Sequence, residues 1–315
     1  MIRTLLSSAL CAVVLPLAAQ DKSPAQGATE QPRITYKALG VRPAPPPAPE
    51  PGDDFFVDAV EKQIVIGTKD ASGAAVQYRI PLLTNVDPQV ASSAELDGDK
   101  VKYSYMLTNG PNAKQAIHLF AVAMQKPEVL TDVVTPASFR QGGASLASWG
   151  TPPRCNWWTN YLEDLQLGQS AGPFGFRAPL LPGLSRAYVQ ANQGEPVGTD
   201  RMHLSMWLVQ KFDEAWSFAN NTVQPVIIGP KIEIPAYGQA SQVIYAVRQE
   251  FVEAASLPEF ASERARLTAL AEQLTGTAPA VVVAVQSAIK DAGSTALQRS
   301  FYQAMAINLA YLGRL

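Results

Sequence analysis

Two rhythms of apolar side chains divide this chain, and the change from one to the other near Tyr237 constrains its fold more than any motif. In VKYSYML, Val101, Tyr103, Tyr105 and Leu107 fall on one face, while Lys102, Ser104 and then Thr108 fall on the other. Successive side chains of a strand point to opposite faces, so strict alternation predicts a half-buried strand. In QAIHLFAVAM, Ile117, Leu119 and Ala121 alternate with His118, Phe120 and Val122, and both sets are largely apolar. That pattern predicts a strand buried on two sides. The Asn-Gly-Pro-Asn between them suits a hairpin through Asn109 to Ala113.

KQIVIG, AVQYRIPLL and SRAYVQAN continue the strand-like texture, with KDASG, LDGD and NGPN as turn signals between such runs. Short runs at this spacing predict an antiparallel Ig-like β-sandwich over residues 55–236. Residues 125–175, with five prolines, read as loops with short strands. Leu204, Leu208, Phe212 and Ala215 recur at helical spacing and predict a helix within 202–219. Beyond Tyr237 the helical period takes over. One stripe is Val243, Ile244, Val247, Phe251 and Val252, and a second is Leu267, Leu270 and Leu274. Val281, Val282, Val285 and Ile289 make a third, and Leu297, Phe301, Met305 and Leu312 a fourth. Pro258, Gly276 with Pro279, and Gly293 with Ser294 stand between them, where stops and caps belong. Residues 237–315 are therefore expected to form a small helical bundle, and the fold class is α+β.

The N-terminal region has a different texture. Arg3, the apolar run Thr4–Ala18 and the small residues Ala18 and Ala19 have the layout of a secretory signal peptide over 1–19. That run is too short to cross a bilayer as a helix, and no later stretch is long and apolar enough, so no membrane span is expected after cleavage. In the spacer 20–54, seven of the 12 residues at 41–52 are Pro or Gly, a composition that favours extended polyproline II over a core. Without Cys11, only Cys155 remains, so no internal disulfide holds the fold. Export without a disulfide framework suits a secreted or periplasmic protein of the bacterial envelope. Removing Arg3 leaves 24 basic against 27 acidic residues, a net charge of −3, with no basic cluster to follow a phosphate backbone. No nucleic-acid partner is expected.

The chemistry-bearing residues are few. His118 and His203 stand 85 positions apart, with no HExxH and no CxxC, so no metal site is assigned. GGASLAS around Ser145 lacks the closing glycine of a nucleophile elbow, and Cys155 between Arg154 and Asn156 reads as a small buried filler rather than a thiol partner for His118. Asp53-Asp54, Glu163-Asp164 and Asp213-Glu214 are adjacent acids, which as such supply no cleft geometry. Glu95, Asp97 and Asp99 surround an Asp-Gly turn signal, with calcium binding as the less favoured reading. No GxGxxG or phosphate loop is present, so no cofactor is expected and no catalytic residue is assigned. The best candidates for ligand binding are Trp149, Trp157, Trp158 and Tyr161, clustered in a Pro- and Gly-rich stretch where flat aromatic faces could meet sugars or a partner. Adjacent strand residues point opposite ways, so one of Trp157 and Trp158 is expected to point inward even without a ligand.

YSYMLTNGPNAKQAIHLFAV and GPFGFRAPLLPGLSRAYVQ, followed by a helical tail, resemble a loose group of uncharacterised secreted soil-bacterial β-sandwich proteins. The resemblance implies a fold and a compartment and transfers no catalytic residue. The resulting expectation is an exported, non-catalytic binding or structural protein whose partner is an envelope protein or a polysaccharide. A carbohydrate-interacting module using the exposed tryptophans is the alternative, and an envelope hydrolase using His118 and an acid is the second alternative.

Overall fold

The alternating runs form the strands they predict, but they are distributed among separate sheets. The computed structural model describes residues 46–124, 129–142, 154–160, 163–192, 204–217, 220–234 and 239–314. The segment 1–19 expected to be a signal peptide and residues 20–45 of the expected spacer lie outside the described residues, as do Ser145, Trp149, Tyr161 and His203. The fold is α+β with antiparallel sheets.

β1 (Asp54–Asp58), β2 (Gln63–Lys69) and β3 (Ala75–Pro81) make a three-stranded meander. Ile64, Ile66 and Ile80 bury their side chains against Leu208, Phe212 and Ala215 of α1 (Met206–Ala215). Helical spacing in the sequence marked those three α1 residues. Asp53 ties the two elements together: its carboxylate accepts from the Thr68 and Ser205 hydroxyls, and Ser205 is the N-cap of α1. One half of the adjacent pair Asp53-Asp54 is thus a structural clamp.

A four-stranded sheet has the order β4 (Pro88–Asp97), β5 (Lys100–Asn109), β10 (Ser170–Ala178), β7 (Thr131–Val134). A five-stranded sheet has the order β12 (Val226–Glu233), β11 (Leu180–Ala191), β6 (Ile117–Ala123), β9 (Cys155–Asn160), β8 (Phe139–Gln141). All pairings are antiparallel. The Asp-Gly signal is a tight turn: Asp97 pairs with Lys100, and Gly98 has φ +64°, where a residue without Cβ carries no penalty.

The expected hairpin through Asn109 to Ala113 does not form. β5 pairs with β4 and β10, whereas β6 pairs with β11 and β9, so the connection crosses from one sheet to the other. Local chemistry holds the crossing in place. The buried Asn109 amide donates to the carbonyls of Gln115 and Leu165 at 2.9 and 3.1 Å, and its Oδ1 accepts from the Asp87 amide at 3.2 Å. Asp87 in turn receives the amides of Gly110 and Asn112. The crossing lets aromatic residues of the two runs meet face to face rather than side by side.

They meet in a layer of rings. Tyr103, Tyr105, Phe174 and Phe176 come from the four-stranded sheet, and Phe120 and Trp158 from the five-stranded sheet. Phe120 lies 6.0 Å from Tyr105, 4.9 Å from Phe174 and 5.6 Å from Trp158, between ring centroids. These separations fall in the range favoured by ring quadrupoles, and each ring removes roughly 150–250 Å² from water.

Four helices follow: α2 (Ala240–Ser256), α3 (Arg264–Gln273), α4 (Pro279–Ile289) and α5 (Ala296–Tyr311). Pro279 occupies the first turn of α4, and Thr295 with Gln298 forms a capping box at α5. The apolar stripes are buried at Val243, Ile244, Val247, Phe251, Leu267, Leu270, Leu274, Val285, Ile289, Phe301 and Met305. Val252 is 50% exposed because it lies beside, not on, the buried line of Val243, Val247, Phe251 and Ala254, and Val281, Val282, Leu297 and Leu312 are half-buried. The helices share one apolar cluster with the two larger sheets. α5 packs on β4, β11 and β12, and α2 on β11.

Polar contacts fix that docking. Asn308 of α5 donates to the Pro182 carbonyl at 2.7 Å. Glu250 of α2 is 97% buried, accepts from the Leu184 amide at 2.6 Å and pairs with Lys231 of β12 at 2.8 Å. A Cβ on Gly183 would lie 2.9 Å from that carboxylate, so glycine makes the close approach possible. Burial raises the Glu250 carboxyl above its usual range despite the attraction of Lys231.

Candidate functional sites

β9 carries two of the four aromatic candidates, and its alternation sends them to opposite faces. Trp158 is fully buried, stacks on Phe120 and Phe176, and donates its indole N–H to the Thr135 hydroxyl at 3.1 Å. That placement corrects the expectation for Trp158: its ring is a core element with no face turned toward a ligand. Trp157 is half-buried on the outer face of the five-stranded sheet, beside Leu119, Ala121, Cys155 and Tyr188. Its ring lies directly over Gly142, where any Cβ would overlap it. The indole nitrogen of Trp157 is buried with no hydrogen-bond partner among the described residues, as is Asn156 Nδ2. Trp149 and Tyr161 lie outside the described residues, so Trp157 alone of the four is placed on a partly open face.

His118 meets an acid that nothing in the sequence pairs with it. Its Nδ1 lies 2.8 Å from Asp164 Oδ1, and the second carboxylate oxygen accepts from the Asn192 amide at 2.8 Å. The His118 side chain is 36% exposed and that of Asp164 17%. The three residues come from β6, the segment after β9 and the end of β11. A bridge between Ile117 and Leu165 brings the first two segments together. A carboxylate on Nδ1 fixes the ring orientation and leaves Nε2 as the group facing outward chemistry. Forty-six positions separate His118 from Asp164. No spacing rule reaches that far, and the pair is invisible before the fold forms.

Cys155 is fully buried, and loss of hydration pushes its thiol up from 9.0 to about 12. It pairs with Ala123, five residues along β6 from His118, or about 16 Å at the rise of a strand. A thiol–imidazole pair is excluded by that separation. Of the acids near the Asp-Gly turn, Asp97 pairs with Arg177 at 2.7 Å. Glu214 pairs with Lys211 at 2.8 Å, which with the Gln210 amide lowers its carboxyl. Among the described residues no group of three or more His, Cys, Asp and Glu side chains is placed to hold a metal ion.

Cavities lie elsewhere. A cleft of about 460 Å³ between β6, β11 and β12 is lined by Met124, Leu184, Ser185, Pro230 and Lys231 among others. Ser185 donates to the Ala123 carbonyl, and the Lys231 ammonium lies between Glu250 and Glu253, at 2.8 and 2.6 Å. Burial alone would depress that ammonium, but the two carboxylates outweigh it and leave it raised. Its charge is therefore committed within the protein. The other described grooves run between α2 and α3 and between α4 and α5.

No protein-family model matches the chain, and no curated protein and no solved structure matches it either. Among the described residues no helix is long and apolar enough to cross a membrane.

Proposed function

We propose that the chain is an exported protein of the bacterial envelope or extracellular space that acts by binding or assembly rather than by catalysis. The observation that carries this reading is the use made of its reactive side chains. Cys155 fills an apolar face with its thiol raised to about 12, and Glu250 and Lys231 lock helix to sheet. Invested this way, such groups are unavailable for turnover. The finer architecture belongs to the same proposal: an Ig-like sandwich, supported by the ring layer between two sheets, followed by a helical bundle. The resemblance to secreted soil-bacterial proteins supports the compartment.

For the partner, polysaccharide binding rests on Trp157, whose ring is half-open on the outer sheet face. Titration with envelope polysaccharides should change tryptophan emission, and Trp157→Ala should abolish the change while the protein stays folded. An unchanged response in that variant removes the sugar reading, and an envelope pull-down without a partner removes the assembly reading.

One observation favours a hydrolase instead: the His118–Asp164–Asn192 chain has the order of an oriented general base. A screen of ester and glycoside substrates decides between the two. Turnover that falls more than about 100-fold in both His118→Ala and Asp164→Asn, with unchanged melting, would establish catalysis. Lower melting without any turnover to lose would establish a structural pair.

A further inference from the structure

Two adjacent leucines belong to different cores. Leu82 is buried with Ile64, Ile66, Ile80, Leu208 and Phe212, between the β1–β3 meander and α1. Leu83 is buried in the cluster shared by the two larger sheets and the later helices. It is tied there by its amide, which donates to Asn221 Oδ1 at 3.0 Å, and by its carbonyl, which accepts from the Ala191 amide at 2.9 Å. At the other boundary Ala215 belongs to the first core, and Trp216, stacked on Phe212 at 5.3 Å between ring centroids, is half-buried against both. Polar contacts also cross the seam. The Lys62 ammonium donates to the Thr84 carbonyl at 2.9 Å, and Glu61 pairs with Lys114 at 3.7 Å with both side chains exposed. Such groups exchange protein partners for water at little net cost.

We propose that β1–β3 and α1 form a lobe that opens and recloses as one unit while the two larger sheets stay closed. Neither half of the lobe stands alone. α1 has 10 residues, fewer than the roughly 12–15 at which an isolated helix becomes even marginal in water. Without α1 the meander would present Ile64, Ile66 and Ile80 to solvent, and a sheet with one apolar face must close it against another element. The Asp53 clamp works on the same terms, since it joins Thr68 of β2 to the Ser205 cap of α1 and exists only while both are folded. In the chain, β4 to β11 lie between β3 and α1, so a lost contact is regained only by closing a long loop. Loss of one half therefore removes the other. Opening leaves the ring layer intact, because its residues belong to the second core. The joint also borders a site: Ala191, bonded to Leu83, directly precedes Asn192 of the His118–Asp164–Asn192 chain. The inference stands on the division of the two cores and not on the binding reading above.

Native-state hydrogen exchange on the full chain, read by mass spectrometry of its peptides, is the test. Peptides from β2, β3 and α1 should share one opening rate, at least about 10-fold faster than peptides from β5, β6 and β10. Low denaturant should accelerate the lobe peptides in parallel. Ser205→Ala removes both the α1 cap and a donor to Asp53, and should speed exchange in β2 as well as α1 by about 10-fold while β5 and β6 keep the parent rate. Phe212→Ala should strip protection from the whole lobe, by more than about 100-fold, and leave the peptides of the larger sheets unchanged. Lobe peptides protected as strongly as β5 and β6 overturn the proposal, because the two cores then open together. So does a Ser205→Ala effect confined to α1, which would make helix and meander independent. A Phe212→Ala chain that loses protection throughout also overturns it, since the lobe would then be part of the larger core.

Discussion

Trp157 and Trp158 are neighbours on β9, yet they belong to surfaces built on different terms. The inner face of the five-stranded sheet closes against a second sheet, so Phe120 and Trp158 meet Tyr105, Phe174 and Phe176 and every ring has a partner. The outer face, with Leu119, Ala121, Cys155, Trp157 and Tyr188, leaves a buried indole N–H at Trp157 without a partner among the described residues. The lesson is that equal apolarity in sequence can conceal unequal packing. One face is a jigsaw core that holds two sheets together, and the other is an apolar surface with spare hydrogen-bonding capacity.

That contrast can be tested by truncation. Trp158→Ala should cost about 3–5 kcal/mol, the range for removing a fully packed aromatic. Trp157→Ala, with part of its ring already in solvent, should cost about 1–2 kcal/mol on the basis of area. Urea denaturation of both variants checks the ratio, and equal losses would mean that the outer face is packed as firmly as the inner one.

Within the ring layer two tyrosines sharpen the comparison further. Tyr103 donates to the Leu180 carbonyl at 2.7 Å, whereas the Tyr105 hydroxyl is buried without a partner among the described residues. Burial raises both phenols. Tyr103→Phe should destabilise by about 1–2 kcal/mol, since it orphans a carbonyl, while Tyr105→Phe should be neutral or stabilising by up to about 1 kcal/mol. Opposite signs in a pair of thermal melts would confirm the difference, and a matching loss in both would show that Tyr105 has a partner.

The smallest effect concerns Cys155. With the folded thiol at about 12 against 9.0 when solvated, the native protein disfavours the thiolate. The stability linked to this group is fully present below pH 9 and is lost as pH rises from there toward 12. At pH 8, alkylation of the native chain should therefore be slow and should follow the rate of unfolding. Prompt labelling without denaturant would show that the outer face opens readily.

The sequence is legible wherever a residue's fate depends on its near neighbours. The alternation of Val101, Tyr103, Tyr105 and Leu107 becomes the buried face of β5, and Leu208, Phe212 and Ala215 become the buried face of α1. β12 is the instructive omission. Gly229 and Pro230 interrupt VIIGPKIE, and Pro cannot donate to a ladder, yet β12 is an edge strand where that missing donor is tolerated. The hairpin expectation failed for the converse reason. Asn-Gly favours a tight turn locally, but Asn109 is committed to Gln115, Leu165 and Asp87, and the connection is drawn across the core. Of the candidate site, the sequence marked the aromatic cluster but had no means of choosing which indole points inward.

By itself the sequence determined where strands give way to helices, because side-chain period follows directly from backbone geometry and needs no tertiary contact. It also determined which chemistries the chain lacks motifs for. Only the tertiary structure decided that β5 and β6 lie in different sheets, that His118 is held by Asp164, and that Glu250 joins α2 to β11 and β12. Each of those contacts joins residues far apart in the chain. Their pairing is set by which apolar faces must close on each other, and no local pattern records that choice.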